Sequence, residues 1–217
     1  MGDDFIAKLK GMESGFLTDS MKVLGLEGWM LGLHPSNVEH RICGRAFTMQ
    51  YTFEADSGAK AYNYYELLDE ISPGDIIILA ANACPYAIMG ENMQHAAKKM
   101  GAGGIVLDGI NRDHYVIRNF DLPVFSRGHE VRFMPGNFKI TSYKVPVMCG
   151  GAVVRQGDIV FGDADGVIAL PPDKIEKVIY QAEFVAEVEK AMDEAIETGK
   201  PMKECAALIG TKKNLRK

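Results

Sequence analysis

An arginine and an aspartate stand side by side at the end of the segment Asp108-Gly-Ile-Asn-Arg-Asp113, which directly follows a short apolar run. Arg112 carries a planar guanidinium that stays protonated and can pair with a carboxylate through two hydrogen bonds. Asp113 supplies carboxylate oxygens, which are the ligands that Mg²⁺ and Mn²⁺ prefer. The pair predicts a site where a small oxoacid anion meets a divalent cation.

A second group of candidate residues lies upstream, at the predicted start of a helix. The backbone N–H groups of Gly90, Glu91, Asn92 and Met93 would lie at the positive end of the helix dipole, where they can hold the same carboxylate. The Glu91 side chain is a further oxygen ligand for the cation, either directly or through an ordered water. The cation and Arg112 together would polarise a ketone oxygen and stabilise an enolate, the high-energy species in aldol cleavage and in decarboxylation of oxoacids.

Simpler interpretations of these residues stay open. Arg112 and Asp113 can form a surface ion pair without any chemistry, because such pairs are common and weak. Glu91 can be a carboxylate that merely stabilises the first turn of a helix. Asp108 can serve only the turn that follows it.

Apolar patterns predict the elements that position these side chains. Alternation predicts a strand over residues 46–54, and continuous apolar runs predict buried strands over 76–80 and 104–107. Helices are predicted over 59–71 and 91–100. This order has the spacing of a right-handed parallel unit, in which Arg112 and the start of the second helix face one crevice.

Two of the predicted helices carry an apolar stripe at helical spacing. In helix 91–100 the stripe comprises Met93, Ala96, Ala97 and Met100, and the residues expected to face outward are Gln94, Lys98 and Lys99. A longer helix is predicted to open at Pro171-Pro-Asp173 and to end before Gly199. Short strands are predicted at 122–125 and within 152–170, so the second half is β-rich.

The overall composition is that of a globular protein. The 217 residues are 47% hydrophobic, and the formal net charge of -5, with basic residues spread along the chain, argues against nucleic-acid binding. No apolar run approaches the roughly 20 residues of a membrane span, and no signal peptide is evident. The four cysteines form no Cys-x-x-Cys pair, which argues against a zinc or redox motif. We therefore expect a cytoplasmic protein with reduced thiols and a small-molecule or protein partner.

Three motifs carry a family resemblance: Gly90-Glu-Asn-Met93, Gly104-Ile-Val-Leu-Asp-Gly-Ile-Asn-Arg-Asp113 and Leu122-Pro-Val-Phe125. Further matches are Gly44-Arg-Ala-Phe-Thr48, Pro73-Gly-Asp75, Gly150-Gly151, Gln156-Gly-Asp158 and Asp163-Ala-Asp-Gly-Val-Ile168. Together they resemble the family that joins class II 4-hydroxy-4-methyl-2-oxoglutarate aldolases to RraA-like regulators of ribonuclease E activity. The element Asp-Gly-x-x-Arg-Asp is the most specific part of the match.

The resemblance implies a fold and an assembly. It implies an α/β protein of the swivelling β/β/α sandwich type, with mixed sheets, flanking helices and a long C-terminal helix. Residues 1–217 would form a single RraA-like domain with a C-terminal helical tail from about residue 173. The chain would assemble as a homotrimer or homohexamer, with sites between neighbouring subunits.

The resemblance also implies roles for individual residues. Arg112 would bind the pyruvate portion of the substrate, Asp113 would bind the metal, and the backbone amides of residues 90–93 would grip the carboxylate. Glu91 would help to hold metal-bound water. A glutamate from the C-terminal helix of the neighbouring subunit would complete the metal site. Its counterpart in this chain is Glu187 or Glu189.

The implied activity is that of a lyase dependent on Mg²⁺, Mn²⁺ or another divalent cation. It would cleave a 4-hydroxy-2-oxo diacid, such as 4-hydroxy-4-methyl-2-oxoglutarate, to pyruvate, with oxaloacetate decarboxylation as a side activity. Family members that act by binding ribonuclease tend to have lost the aspartate after the arginine, whereas this chain keeps Asp113, which favours an enzyme. The alternatives are a non-catalytic regulator that binds ribonuclease E or another protein, and an enzyme for a different oxoacid or a sugar-acid derivative.

Overall fold

The computed structural model describes residues 4–53 and 60–216 of the chain. Two compact units divide the chain. The helical unit combines the residues up to 27 with those from 173 onward, and the α/β unit comprises residues 28–172. Within the described ranges, no helix has both the length and the apolar character that a membrane crossing requires.

The described residues form seven α-helices and thirteen strands. The helices are α1 (Asp4–Lys10), α2 (Ser14–Val23), α3 (Tyr64–Leu67), α4 (Glu91–Lys99), α5 (His114–Ile117), α6 (Ile175–Glu197) and α7 (Met202–Gly210). The strands are β1 (Trp29–Met30), β2 (His34–Pro35), β3 (Ile42–Phe53), β4 (Ile76–Ala80), β5 (Ala87–Met89), β6 (Gly104–Leu107), β7 (Ile110–Asn111), β8 (Val124–Ser126), β9 (Phe138–Tyr143), β10 (Val147–Cys149), β11 (Ala152–Val154), β12 (Ile159–Asp163) and β13 (Gly166–Leu170).

A mixed sheet forms the centre of the α/β unit. Its strand order is β1-β13-β12-β3-β4-β6-β8-β2, and β9 also pairs with β3. The middle strands β3, β4, β6 and β8 run parallel, and the flanking pairs are antiparallel. The expected mixed α/β architecture is therefore confirmed. The parallel strand–helix–strand unit predicted from local patterns corresponds only to the middle of the sheet.

Strand β4 shows why the central strands are continuous apolar runs. Ile77 and Leu79 join one apolar cluster, together with Phe47 and Leu107. The alternate residues of the same strand, such as Ile78, join a second cluster. Because both faces of the strand are covered, neither face can carry polar residues, as is usual for parallel strands.

Two predicted element boundaries in this unit are corrected. The predicted helix 59–71 contains only α3 and a 3₁₀ turn, Leu68–Glu70, because Tyr62 is extended and donates its N–H to the Ile140 carbonyl at 2.9 Å. The helix starts after Asn63, whose side chain accepts the Tyr65 N–H. The predicted strand 46–54 corresponds to β3, which begins earlier, at Ile42. Residue 54 of this predicted strand and residue 59 of the predicted helix lie outside the described part of the chain.

Gln94 was expected to face solvent but is completely buried. Its Nε2 donates to the carbonyl oxygens of Ile117 at 3.1 Å and Leu122 at 2.8 Å. Ile117 is the last residue of α5 and Leu122 lies shortly before β8, so the amide of Gln94 links α4 to both ends of the loop between α5 and β8. The helical stripe in the sequence did not reveal this, because the partners lie more than 20 residues away.

The helical unit is built on the predicted long helix, α6. Helices α1, α2 and α7 all contact α6. The apolar stripe of α6 is buried as expected over its first four turns, at Ile175, Val178, Ile179, Ala182, Val185 and Val188. Near the C-terminal end the stripe shifts, so that Ala195 is buried and Ile196 is exposed.

Candidate active site

Strands β5 and β7 bring the two candidate motifs together. They pair in parallel, with Met89 opposite Asn111. The Arg112 N–H then donates to the Met89 carbonyl at 2.9 Å. This pairing places the Arg112–Asp113 dipeptide directly beside Gly90, where α4 begins. The two motifs therefore lie side by side, as their positions after neighbouring strands predicted.

The Asp113 carboxylate is held at the start of α4. Its Oδ2 accepts the Glu91 N–H at 3.1 Å and lies 3.8 Å from Arg112 Nε. Asp113 itself adopts a left-handed backbone conformation, with φ 59° and ψ 34°, which aspartate tolerates better than most residues. The carboxylate thus sits at the positive end of the α4 dipole and next to the Arg112 guanidinium.

Gly90 is required here for steric reasons. A Cβ added at this position would lie 2.5 Å from Asp113 Oδ2 and 3.3 Å from Arg112 Nε. The backbone of Gly90 is in the ordinary extended region, with φ -132° and ψ -176°, so no left-handed conformation demands a glycine. The missing side chain is what lets the aspartate and the arginine approach the helix.

The backbone amides expected to grip a carboxylate are only partly available. The Glu91 N–H is used by Asp113, and the Met93 N–H donates to the Gly90 carbonyl at 3.1 Å. In the described part of the chain, the N–H groups of Gly90 and Asn92 have no protein partner. These two amides are therefore the donors that remain for a ligand.

The residues at this point suit a hard divalent cation. Asp113 and Glu91 supply only oxygen ligands, and the Asp113 side chain is 38% exposed, so it is reachable from solvent. The described residues contain no group of three or more His, Cys, Asp or Glu that could hold a metal ion. Magnesium commonly needs no more than one or two protein carboxylates, since waters and substrate oxygens complete its shell. The donor set therefore fits such an ion.

Comparisons with known proteins point to one family. The family model described as RraA-like, Aldolase/RraA, matches residues 16–169, which include both motifs. The chain belongs to the RraA-like family. It is 31% identical over 194 residues to a protein of Halalkalibacterium halodurans named "Putative 4-hydroxy-4-methyl-2-oxoglutarate aldolase", and the match covers 89% of each chain.

Solved structures show the same fold. An uncharacterized protein from Pseudomonas syringae pv. tomato str. DC3000 superimposes with a TM-score of 0.86 at 24% identity, covering 95% of this chain and 94% of that one. Streptomyces coelicolor RraAS2, described as an unusual member of the RNase ES inhibitor RraA protein family, superimposes with a TM-score of 0.81 at 23% identity, covering 89% and 98%. At these identities the likeness establishes the RraA-like fold alone.

The two glutamates expected to reach a neighbouring RraA-like subunit lie on α6. Glu187 Oε1 accepts from Arg216 Nη2 at 2.8 Å, and Glu189 Oε1 accepts from Lys212 Nζ at 2.9 Å. Lys212 also pairs with Asp19 of α2 at 2.6 Å. Both glutamates are therefore engaged by basic residues of the C-terminal tail within their own unit, and the structure does not choose between them.

Asp108 has a role beyond its turn. It is buried, its Oδ1 accepts from Arg127 Nε at 2.5 Å, and its Oδ2 accepts the Gly150 N–H at 3.2 Å. A buried carboxylate requires such partners, because its charge is otherwise very costly away from water. Arg127 was not found by sequence reasoning. The one available signal was that an aspartate, if buried, needs a cationic partner, and this signal does not say which basic residue that partner is.

A phenylalanine ring lies beside Arg112, and the histidine that follows Asp113 stacks against a second histidine. The Arg112 guanidinium carbon lies 5.4 Å from the centroid of the Phe133 ring, a cation–π distance. His114 and His129, to which the sequence assigns no role, stack with ring centroids 3.9 Å apart and an interplanar angle of 8°. Burial first, and then the neighbouring His129 and Arg118, hold the pKa of His114 below its ordinary value.

Proposed function

We propose that this RraA-like protein is a divalent-metal-dependent lyase that cleaves a 4-hydroxy-2-oxo diacid, such as 4-hydroxy-4-methyl-2-oxoglutarate, to release pyruvate, and that it also decarboxylates oxaloacetate. The observation that carries the proposal is the convergence of Arg112 and Asp113 on the first amides of α4. The name of the Halalkalibacterium halodurans relative supports the same reaction class.

Arg112 and the free amides would bind the pyruvate portion. The Arg112 side chain is 48% exposed, so its guanidinium can pair with an incoming carboxylate and with the oxygen of the adjacent oxo group. The N–H groups of Gly90 and Asn92 would hold the other carboxylate oxygen at the helix terminus. This arrangement fixes the oxo group beside the Asp113 carboxylate.

Asp113 and Glu91 would hold the cation. When bound, the cation supplies positive charge next to the substrate oxo oxygen and so lowers the energy of the enolate. In the proposed homotrimer or homohexamer, Glu187 or Glu189 of a neighbouring subunit would add a further carboxylate to this site. That glutamate would first have to leave Arg216 or Lys212.

Both proposed reactions pass through the same pyruvate enolate. In the aldol cleavage the C3–C4 bond breaks, its electron pair moves into the pyruvate portion, and the 4-hydroxyl gives its proton to a solvent water as the second product's carbonyl forms. In oxaloacetate the bond to the departing CO₂ breaks instead. In each case C3 is then protonated, and Arg112 stabilises the negative charge until that happens.

The test is pyruvate release from 4-hydroxy-4-methyl-2-oxoglutarate and from oxaloacetate, with Mg²⁺ and with EDTA. We expect metal-dependent release that is lost in Arg112→Ala and in Asp113→Ala, with unchanged circular dichroism. Asp121→Ala removes an aspartate whose side chain is 96% exposed and serves as the control. Full activity of Arg112→Ala, or no turnover of either substrate by the native protein, would reject the proposal and turn attention to the regulator alternative.

A further inference from the structure

Phe133 is an exposed aromatic residue at the candidate site. It is 62% exposed and belongs to neither apolar cluster of the α/β unit. Its ring centroid lies 5.4 Å from the guanidinium carbon of Arg112. Hydrophobic stabilisation grows with the apolar area removed from water, so a ring this exposed contributes little to it. The contact with Arg112 is therefore the interaction through which this ring can matter.

The backbone segment that leads to Phe133 is fixed at both ends. Four hydrogen bonds join residues 127–132 to strands β5 and β7 and to the turn before β7. They run from the Arg127 N–H to the Gly109 carbonyl at 3.0 Å, from the Asn111 N–H to the Gly128 carbonyl at 3.0 Å, from the Glu130 N–H to the Asn111 carbonyl at 3.0 Å, and from the Ala87 N–H to the Arg132 carbonyl at 2.7 Å. The same two strands place Arg112 beside Gly90, so one hydrogen-bonded framework carries both the ring and the guanidinium.

The Arg112 guanidinium is held by charge and not by hydrogen bonds. Its Nε lies 3.8 Å from Asp113 Oδ2, and no described residue accepts a hydrogen bond from it. A half-exposed arginine side chain with such weak restraints can adopt many rotamers. A cation–π contact attracts the charge of the guanidinium and uses none of its N–H donors. The Phe133 ring can therefore restrain Arg112 and still leave its donors available for a carboxylate.

We propose that Phe133 is a positioning residue for Arg112, whose ring holds the guanidinium beside Gly90 in the orientation that receives the substrate carboxylate. The role rests on the proposed lyase function and adds a residue to it. Phe133 acts through Arg112 and takes no part in the bond-breaking step.

A positioning role affects substrate binding and the bound-state rate differently. Without the ring, the substrate binds only the fraction of molecules in which Arg112 is already in place, and the apparent affinity falls with that fraction. Once the substrate is bound, its carboxylate itself holds the guanidinium. Loss of the ring should therefore raise KM and leave kcat unchanged, whereas a general distortion of the site would also lower kcat.

The kinetic test measures pyruvate release from oxaloacetate with Mg²⁺ in two variants of Phe133. Phe133→Leu keeps an apolar side chain but removes the ring, and its KM should rise about two- to fivefold, the effect of one cation–π contact at a partly exposed site. Phe133→Tyr keeps the ring and should retain the native KM. Val131→Ala changes an apolar residue of the same segment that is 88% exposed, and this control should leave KM and kcat unchanged.

A second readout needs no turnover. In ligand-free protein with isotopically labelled arginine, the ring current of Phe133 should displace the side-chain proton signals of Arg112, which are assigned by their absence from Arg112→Ala. Phe133→Leu should remove this displacement, and Phe133→Tyr should keep it.

The outcomes separate this proposal from the proposed function. The positioning role is refuted if the native protein turns over oxaloacetate and Phe133→Leu keeps the native KM, if the variant loses kcat as strongly as it gains KM, or if the Arg112 signals are the same with and without the ring. Absence of turnover by the native protein would instead overturn the lyase function, and the positioning role in that reaction with it.

Discussion

The Gly90→Ala variant would test the site geometry by adding a single methyl group. The new Cβ would lie 2.5 Å from Asp113 Oδ2, whereas ordinary contacts begin at 3.4 Å, so the carboxylate must retreat by nearly an ångström. Its hydrogen bond to the Glu91 N–H, 3.1 Å in the native site, would then be lost. A displacement of about 1 Å near a reacting centre can lower a rate about 10²-fold.

Stability should change much less than activity. The clash is with the end of a partly exposed side chain, and the backbone of Gly90 already has a conformation that alanine adopts. The loss of one partly exposed hydrogen bond costs about 1 kcal/mol of unfolding free energy. We therefore expect a folded protein with a kcat/KM for pyruvate release that is about 10²-fold lower and with weaker Mn²⁺ binding.

The assays are coupled reduction of the released pyruvate, and Mn²⁺ titration followed by electron paramagnetic resonance. The matched control is Gly136→Ala, because a Cβ at that position meets nothing within 4 Å. Gly90→Ala with native Mn²⁺ affinity and native kcat/KM would show that the Asp113 position seen here does not matter for the site.

The remaining predictions concern stability. Asp108→Ala leaves the Arg127 guanidinium without its buried partner and should lower the unfolding free energy by about 3 kcal/mol in urea titrations. The exposed control Asp121→Ala should leave the urea midpoint unchanged. Equal urea midpoints for the two variants would contradict this reasoning. Burial raises the pKa of the Cys149 thiol in the native state, whereas the unfolded thiol ionises near pH 8.5. Above that pH the unfolded state binds fewer protons, so the unfolding free energy should fall by up to about 1.4 kcal/mol per pH unit. Urea titrations between pH 7 and 10 should show this slope, and Cys149→Ala should make it shallower. Burial also raises the pKa of the Cys84 thiol, so the variant should keep part of the slope; an unchanged slope would assign the whole effect to other groups.

The sequence predicts best those elements whose signal is local. Strands β4 and β6 coincide with the predicted ranges, because continuous apolar runs bounded by turn residues leave few alternatives. The long helix α6 is equally clear, since its apolar stripe extends over several turns. The proximity of the Arg112–Asp113 dipeptide to Gly90 was also expected, because both motifs follow strands of one parallel unit.

What the sequence could not give depends on contacts distant along the chain. Gln94 is polar and yet buried, because its partners are backbone carbonyls that leave no trace in residue type. The partner of Asp108 is Arg127, one of several basic residues with no distinguishing neighbour. Gly90 was expected only to offer its backbone N–H to a ligand, whereas its missing side chain also makes room for Asp113 and Arg112.

The pairing of α2 with α6 has a consequence for the order of events during synthesis. Helices α1 and α2 leave the ribosome before the α/β unit, but α6 is translated about 150 residues later, a wait of roughly 8 to 30 s at ordinary rates of elongation. The whole α/β unit is synthesised in that interval. The helical unit therefore cannot fold in the order in which its residues are synthesised. Helices α1 and α2 remain without their packing partner until α6 emerges, and only then can the three helices pack together.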